Sequence, residues 1–141
     1  MRRFVGCSCA VLALAGGVAV AKPGDNAGFK SGQYVGTTSQ DDEVGQAKNV
    51  GLEVPKNRKK VNIVYFEFVA PPCGDGGAFG GLQMAGETTK LVNGKFKFVD
   101  EFGYGYVKGK FEAGRAHGTA RYTFEPRGCD SGVVEWTAKK S

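Results

Sequence analysis

The chain has 141 residues, including 23 glycines, 5 prolines, 4 cysteines and one histidine, which is enough for one domain. An apolar fraction of 41% with 10 phenylalanines and a net charge of only +5 excludes an intrinsically disordered chain. The length also excludes a TIM barrel and any two-domain cofactor enzyme.

The first 21 residues have the pattern of a secretory signal peptide. Two arginines precede an apolar stretch from Phe4 to Ala21, which ends in the small residues Ala-Val-Ala. This layout predicts cleavage after Ala21, followed by a flexible leader at residues 22–31 and a single β domain at residues 32–141. No membrane span would remain after cleavage. The alternative is an uncleaved anchor, because 18 apolar residues are close to transmembrane length.

Cleavage would change both the charge and the cysteine count. It would leave 120 residues and remove two of the 19 basic residues but none of the 14 acidic ones, so the net charge would fall from +5 to +3. Cys73 and Cys129 would be the two remaining cysteines. An exported domain folds in an oxidising compartment, so we expect these two to form a structural disulfide. Their separation of 56 residues predicts about 4 kcal/mol of stabilisation in the chain-entropy model.

The mature chain has the pattern of an antiparallel β-protein. Glycine recurs at short intervals, which is typical of tight turns between many short strands, and no 10-residue stretch has convincing helical periodicity. In chain order, the predicted strands lie at residues 32–38, 47–54, 60–70, 79–85, 94–99, 104–112, 117–124 and 132–138. The sequence therefore predicts an all-β fold, a small antiparallel β-barrel or β-sandwich of seven to eight short strands.

Strands of the second half alternate between apolar and polar positions, which indicates one buried and one solvated face. The predicted inward side chains are Phe96, Phe98, Val107, Phe111, Ala120, Tyr122, Phe124, Val134 and Trp136. The strand at residues 60–70 is the most apolar and lacks alternation. We therefore expect it to be central and covered on both sides.

Short segments spread over most of the mature chain are similar to one known class of proteins. They lie at residues 32–40, 109–111, 116–120, 128–132 and 136–138. Together they resemble a class of small secreted actinobacterial β-domains. The resemblance implies an exported β-domain with one disulfide, and it implies no activity.

Residues for enzymatic chemistry are scarce. His117 is the single histidine, which excludes metal clusters of the usual His-rich kind. A catalytic serine would need it as base, and neither Ser39 nor Ser131 lies in a nucleophile-elbow pattern. The glycine-rich segment at residues 73–81 lacks the Lys-Ser/Thr of a phosphate-binding loop. We expect no enzyme and no cofactor, and we expect His117 to lie on the surface beside a hairpin turn.

Two acidic residues lie beside the predicted disulfide. Pairing of Cys73 with Cys129 would bring Asp75 and Asp130 to the same end of the molecule. Carboxylates beside glycine-rich carbonyl groups are oxygen ligands, so the two aspartates are a candidate calcium pair, although two acids fall short of the usual ligand set. The alternative is that both form turns, as Asp does before Gly or Ser.

Basic residues and tyrosines recur at the outward positions of the three predicted strands between residues 94 and 124. If those strands are neighbours, one outward surface carries Lys95, Lys97, Tyr104, Tyr106, Lys108, Lys110 and Arg121, which we call the basic–aromatic face. Such a surface suits an anionic polymer, because cations bind its charges and rings contact its sugars or stack on its bases. The run at residues 56–60 could extend it. The alternative is a solvated face that uses lysine for solubility and edge protection.

These observations predict a non-enzymatic β-domain, secreted or held in the cell envelope, that binds an anionic envelope polymer or an extracellular protein. Nucleic acid is not expected as the partner outside a cell. One alternative is a secreted inhibitor of an extracellular hydrolase, with loops at residues 73–81 and 126–131 as its contact surface. Another is a barrel that carries a small apolar ligand.

Overall fold

A computed structural model describes residues 28–40, 49–67, 73–77 and 83–141 of this chain. The predicted signal peptide at residues 1–21 lies outside the described residues. A single turn of 3-10 helix occupies Glu125–Arg127, and the strands are β1 Gly32–Thr38, β2 Val50–Val54, β3 Lys60–Glu67, β4 Gln83–Met84, β5 Glu87–Lys90, β6 Lys95–Val99, β7 Gly105–Glu112, β8 Arg115–Phe124, β9 Cys129–Asp130 and β10 Val134–Lys140.

The strands form one antiparallel sheet that curls into a nearly closed barrel. Its order is β4-β3-β2-β1-β10-β8-β7-β6, with β5 also paired to β3 and β9 paired to β8. Because β4 and β5 follow one another along β3, they occupy one position of the barrel. The predicted all-β antiparallel fold is confirmed, and its shape is a barrel.

The barrel closes between β5 and β6, which are joined by a hairpin turn at Asn93 and Gly94. Both turn residues have the left-handed φ values of a tight β-hairpin, 50° and 74°. The ladder stops after a single bridge between Val92 and Lys95. Beyond it, the Thr89 hydroxyl donates to the Lys97 carbonyl at 2.9 Å. Within the described ranges, this seam therefore has no continuous backbone ladder.

The core lies inside the barrel and is built from the inward positions of the strands. All nine predicted inward side chains contribute to it, with Phe124 only partly buried. Trp136 is 1% exposed, and its ring centroid lies 6.2 Å from Phe66 and 6.0 Å from Phe96. Burying one large apolar side chain contributes about 1.5–3 kcal/mol, so these aromatic contacts are a main source of stability.

Glycines on the inner face let neighbouring strands approach closely. A Cβ atom at Gly36 would collide with the backbone of Thr137, and one at Gly118 would collide with the backbone of Lys108. Glycine inside a strand is typical of sites where another backbone comes close or where a barrel bends. These residues therefore permit the tight curvature that closes the sheet.

The expectation that the strand at residues 60–70 is covered on both sides is wrong for its described part, β3. Its inward side chains, Val61, Ile63 and Phe66, are buried, whereas Val64 is 45% exposed. A β-bulge explains the missing alternation: Gly51 pairs with Tyr65 and Leu52 with Ile63, so Val64 is the extra residue. The bulge moves the inward positions from odd to even residue numbers.

The structured part of the chain begins before the predicted domain boundary at residue 32. Phe29 is 4% exposed and belongs to the core, with its ring centroid 5.7 Å from that of Phe111. The predicted strand at residues 79–85 is described at residues 83–85, of which Gln83–Met84 form β4. The strand predicted at residues 117–124 begins two residues earlier than expected, because β8 already starts at Arg115.

Candidate functional site

The strands that carry the basic–aromatic face are neighbours in the order β6, β7, β8. Lys95 lies opposite Lys110, Lys97 opposite Lys108, and Tyr106 opposite Arg121. Period-two alternation places these side chains outward, since their strand neighbours point into the core. The structure therefore brings the lysines and Arg121 together on one surface of the barrel.

The hydrogen-bond pattern brings the opposed lysines especially close. Phe111 N donates to Gly94 O at 2.8 Å and Asp100 N donates to Gly105 O at 3.0 Å, so these are hydrogen-bonded pairs. Alternation makes Lys95–Lys110 and Lys97–Lys108 non-hydrogen-bonded pairs, whose Cα atoms lie about 4.5 Å apart. Like charges directly opposite each other destabilise a sheet. Two such pairs side by side concentrate positive charge at a cost in stability.

Two of the cations on the face are neutralised by carboxylates. Lys110 pairs with Glu112. Arg121 donates to both carboxylate oxygens of Asp130, at 3.0 and 2.6 Å. The hydrogen bond from Arg121 lowers the pKa of Asp130, and the hydrogen bond from Lys110 lowers the pKa of Glu112. Both acids are therefore charged at neutral pH.

Three lysines of the face keep their charge uncompensated. Lys95, Lys97 and Lys108 form no ion pair within the part of the chain that the structure describes. The Lys108 ammonium group lies 5.5 Å from the centroid of the Tyr106 ring, a cation–π contact. One face of the Tyr106 ring is therefore already occupied by a neighbouring cation.

Tyr104 borders the face rather than standing within it. Its ring makes edge contacts with Tyr122 and Phe124, at centroid distances of 6.5 and 5.3 Å, and it packs against the core. Its remaining surface lines a shallow depression of about 330 Å³, together with Lys97, Tyr106 and Arg121. The Tyr104 side chain is therefore divided between packing against the core and the surface of the basic–aromatic face.

His117 and Thr119 lie on the same outer face and were missing from the predicted set. His117 is opposite Lys110, and Thr119 is opposite Lys108. With these two lysines and Lys95, they line a depression of about 350 Å³, and none of its described lining residues is acidic. Alternation along β8 could have identified both residues, because they share the outward parity of Arg121.

The calcium candidates Asp75 and Asp130 lie next to the bonded Cys73 and Cys129. The Asp75 carboxylate accepts hydrogen bonds from Arg127 at 2.8 Å and from Gly77 N at 3.0 Å. Asp130 accepts from Arg121 and, at 2.9 Å, from Gly132 N. Each carboxylate therefore accepts a hydrogen bond from the backbone N–H two residues later, which is the contact of an aspartate that forms a turn. No group of three His, Cys, Asp or Glu side chains suited to a metal occurs among the described residues.

The basic run at residues 56–60 lies at the turn between β2 and β3, and β5 and the seam separate it from the outer face of β6–β8. Lys60 is opposite Lys90 of β5, and Arg58 donates to the carbonyl of Phe29 at 3.3 Å. The loop segment at residues 73–77 is joined to residues 126–131 by the disulfide to Cys129 and by Gly74 N, which donates to Arg127 O at 3.0 Å. The two loops of the predicted inhibitor surface therefore meet there, as far as they are described.

In the part of the chain that the structure covers, no helix has the length and apolar character needed to cross a membrane. Comparison of the chain with protein-family models, curated proteins and solved structures finds no match.

Proposed function

We propose that the protein is a non-enzymatic binding domain, secreted or held in the cell envelope, whose basic–aromatic face binds an anionic polysaccharide. The observation that carries the proposal is the set of uncompensated lysines, Lys95, Lys97 and Lys108, two of them directly opposite each other on β6 and β7. A bound anion would relieve the repulsion between those opposed charges.

The chemistry of the face favours a charged sugar polymer over a nucleic acid. Lysine binds carboxylate, sulfate and phosphate groups as a point charge, without the bidentate geometry that arginine supplies. Single-stranded nucleic acids need open aromatic rings on which bases stack. Here the Tyr106 ring is covered on one side by Lys108, and Tyr104 is partly buried. Charge and hydroxyl contacts therefore dominate the surface.

Two observations support an extracellular location. The signal-peptide pattern at residues 1–21 predicts export, and the Cys73–Cys129 bond is of a kind that persists in oxidising compartments. The resemblance to small secreted β-domains agrees with both. We therefore seek the partner among polymers of the cell envelope or its surroundings.

Calorimetric titration with heparin, a sulfated polysaccharide, tests the proposal. We expect binding in low salt that weakens steeply as salt is raised, because the contacts are electrostatic. The double variant Lys97→Gln/Lys108→Gln should bind about tenfold more weakly, a loss of about 1.4 kcal/mol. The variant Lys56→Gln/Lys59→Gln removes the same charge from another part of the barrel and should bind nearly as wild type.

Three outcomes would contradict the proposal. The first is no binding of heparin even at low salt, and the second is an equal loss in both double variants. The third is equal binding of a single-stranded oligonucleotide through the same lysines, which would reassign the face to nucleic acid. Neutral dextran serves as the uncharged control.

A further inference from the structure

A third depression lies on the outer surface of β8, β10 and β1, beside the basic–aromatic face. Its volume is about 510 Å³, and its walls carry Arg115, His117, Lys139, Thr37 and Thr137. The floor consists of Gly36, Ala116 and Ala138, which have no outward side chain. We call this depression the threonine cleft.

Pairing across three strands builds the threonine cleft. Thr137 of β10 lies opposite both Thr37 of β1 and His117 of β8. Lys139 lies opposite Arg115 in the next position along the same strands. Two hydroxyl groups, one imidazole and two cations therefore converge over a floor of small residues.

The charges that line the threonine cleft suit an anionic ligand rather than a cation. No acidic side chain lines it, and neither Arg115 nor Lys139 forms an ion pair in the described ranges. Glu112 lies opposite Arg115 in the sheet, but its carboxylate pairs with Lys110. A guanidinium group donates two parallel hydrogen bonds to a carboxylate, sulfate or phosphate, and threonine hydroxyls add further donors.

His117 connects the threonine cleft with the basic–aromatic face, because it lines the depressions on both sides. A single row of outward side chains crosses five neighbouring strands in the order Lys95, Lys110, His117, Thr137, Thr37. Adjacent strands lie about 4.8 Å apart, so the row follows about 19 Å of the curved barrel wall.

Two carboxylates mark the borders of this row. Glu135, opposite Thr119, is the next outward residue of β10 on one side of the row. Glu112 lies on the other side, on β7. Among the described residues, no acidic side chain therefore lies in the strip between them, from the lysines of β6 and β7 to the threonine cleft.

We infer that the threonine cleft is a second anion-binding subsite, and that an anionic polysaccharide lies across the strands from Lys95 to Thr37, around the girth of the barrel. The inference rests on the proposed function and extends it. Acidic groups at one end of the bound segment contact the lysines of β6 and β7. Groups farther along contact Arg115, Lys139 and the two threonine hydroxyls.

Heparin oligosaccharides of defined length test the inference with full-length protein. We expect a decasaccharide to lose about tenfold in affinity in Arg115→Gln/Lys139→Gln and a similar factor in Lys97→Gln/Lys108→Gln. A disaccharide is too short to reach both subsites, so its affinity should fall less in each variant. Lys56→Gln/Lys59→Gln is again the control for lost charge.

A second measurement needs no variant. In backbone NMR spectra of the wild type, the decasaccharide should shift the amide signals of Thr37 and Thr137 as well as those of Lys97 and Lys108. Shifts confined to β6 and β7, with full affinity in Arg115→Gln/Lys139→Gln, would overturn the threonine cleft and leave the proposed function standing. Absence of binding by every oligosaccharide would overturn both.

Discussion

Trp136 occupies the space that Gly109 leaves inside the barrel. A Cβ atom at Gly109 would lie 2.7 Å from the carbonyl oxygen of His117 and would also collide with the indole ring. We therefore expect Gly109→Ala to lower the free energy of unfolding by about 1–3 kcal/mol, the usual cost of overpacking. Urea denaturation followed by tryptophan fluorescence measures this directly, because Trp136 is the single tryptophan of the chain.

Gly74→Ala is the matched control for this substitution. Its added Cβ would lie 3.7 Å from the nearest atom, the carbonyl oxygen of Arg127, which is ordinary van der Waals contact. Stability should therefore change little. Equal stability of the two alanine variants would show that the Trp136 ring does not depend on the space at Gly109.

The contact between Arg121 and Asp130 predicts a pH effect on stability. Because the Arg121 hydrogen bond lowers the pKa of Asp130 in the folded state, the pair stabilises the fold above the ordinary pKa of 3.8. This contribution is lost as the pH falls below that value, through the lowered pKa. Both side chains are 44% exposed, so solvent screening keeps the contribution small.

NMR titration of the Asp130 carboxyl group checks the origin of this effect. Arg121→Gln should raise the pKa of Asp130 toward its ordinary value, because it removes the hydrogen bond that stabilises the charged carboxylate most. The difference in stability between wild type and Asp130→Asn should shrink below pH 3.8. A pKa of Asp130 that does not respond to Arg121→Gln would contradict the assignment.

At the scale of elements, the opposed lysines of β6 and β7 should lower the stability of the fold while they raise its affinity for an anion. Lys97→Thr removes the repulsion with Lys108, so we expect a gain of about 0.2–1 kcal/mol in low salt that shrinks in high salt. Heparin affinity should fall in the same variant. Urea denaturation at two salt concentrations gives the first quantity, and calorimetry gives the second.

Lys95→Thr is the matched comparison, since it makes the same substitution two residues earlier in β6. Lys95 faces Lys110, whose charge is already offset by Glu112. The gain in stability should therefore be smaller than for Lys97→Thr. A larger gain at Lys95 would mean that local charge does not control the stability of this strand pair.

Individual strands could be predicted where their side chains alternate, as in β6, β7, β8 and β10. The inward positions of β3 could not be predicted in this way, because a bulge is a property of two paired strands and is not visible in the sequence of one of them. The threonine cleft could not be predicted either. It joins Thr37 to Arg115 through β10, and that order of strands depends on long-range pairing, which local patterns do not encode.

At the scale of the whole molecule, the seam between β5 and β6 predicts uneven hydrogen exchange. Phe96 and Phe98 direct their backbone amides to β7, whereas Lys97 and Val99 direct theirs to the seam. We expect the amides of Phe96 and Phe98 to be strongly protected and those of Lys97 and Val99 to exchange quickly. Equal protection of all four in NMR-detected exchange would mean that a full ladder closes the barrel.

The position of β10 determines when the two halves of the sheet can be joined during synthesis. This strand lies between β1 and β8, and among the described strands it is the one that joins the β1–β3 half of the sheet to the β6–β8 half by a backbone ladder. During synthesis, β1 therefore waits for residues 134–140 before its second edge is paired. Until β10 is made, the β1–β3 and β6–β8 halves can pair only within themselves, so joining them by a backbone ladder is a late, long-range step of folding.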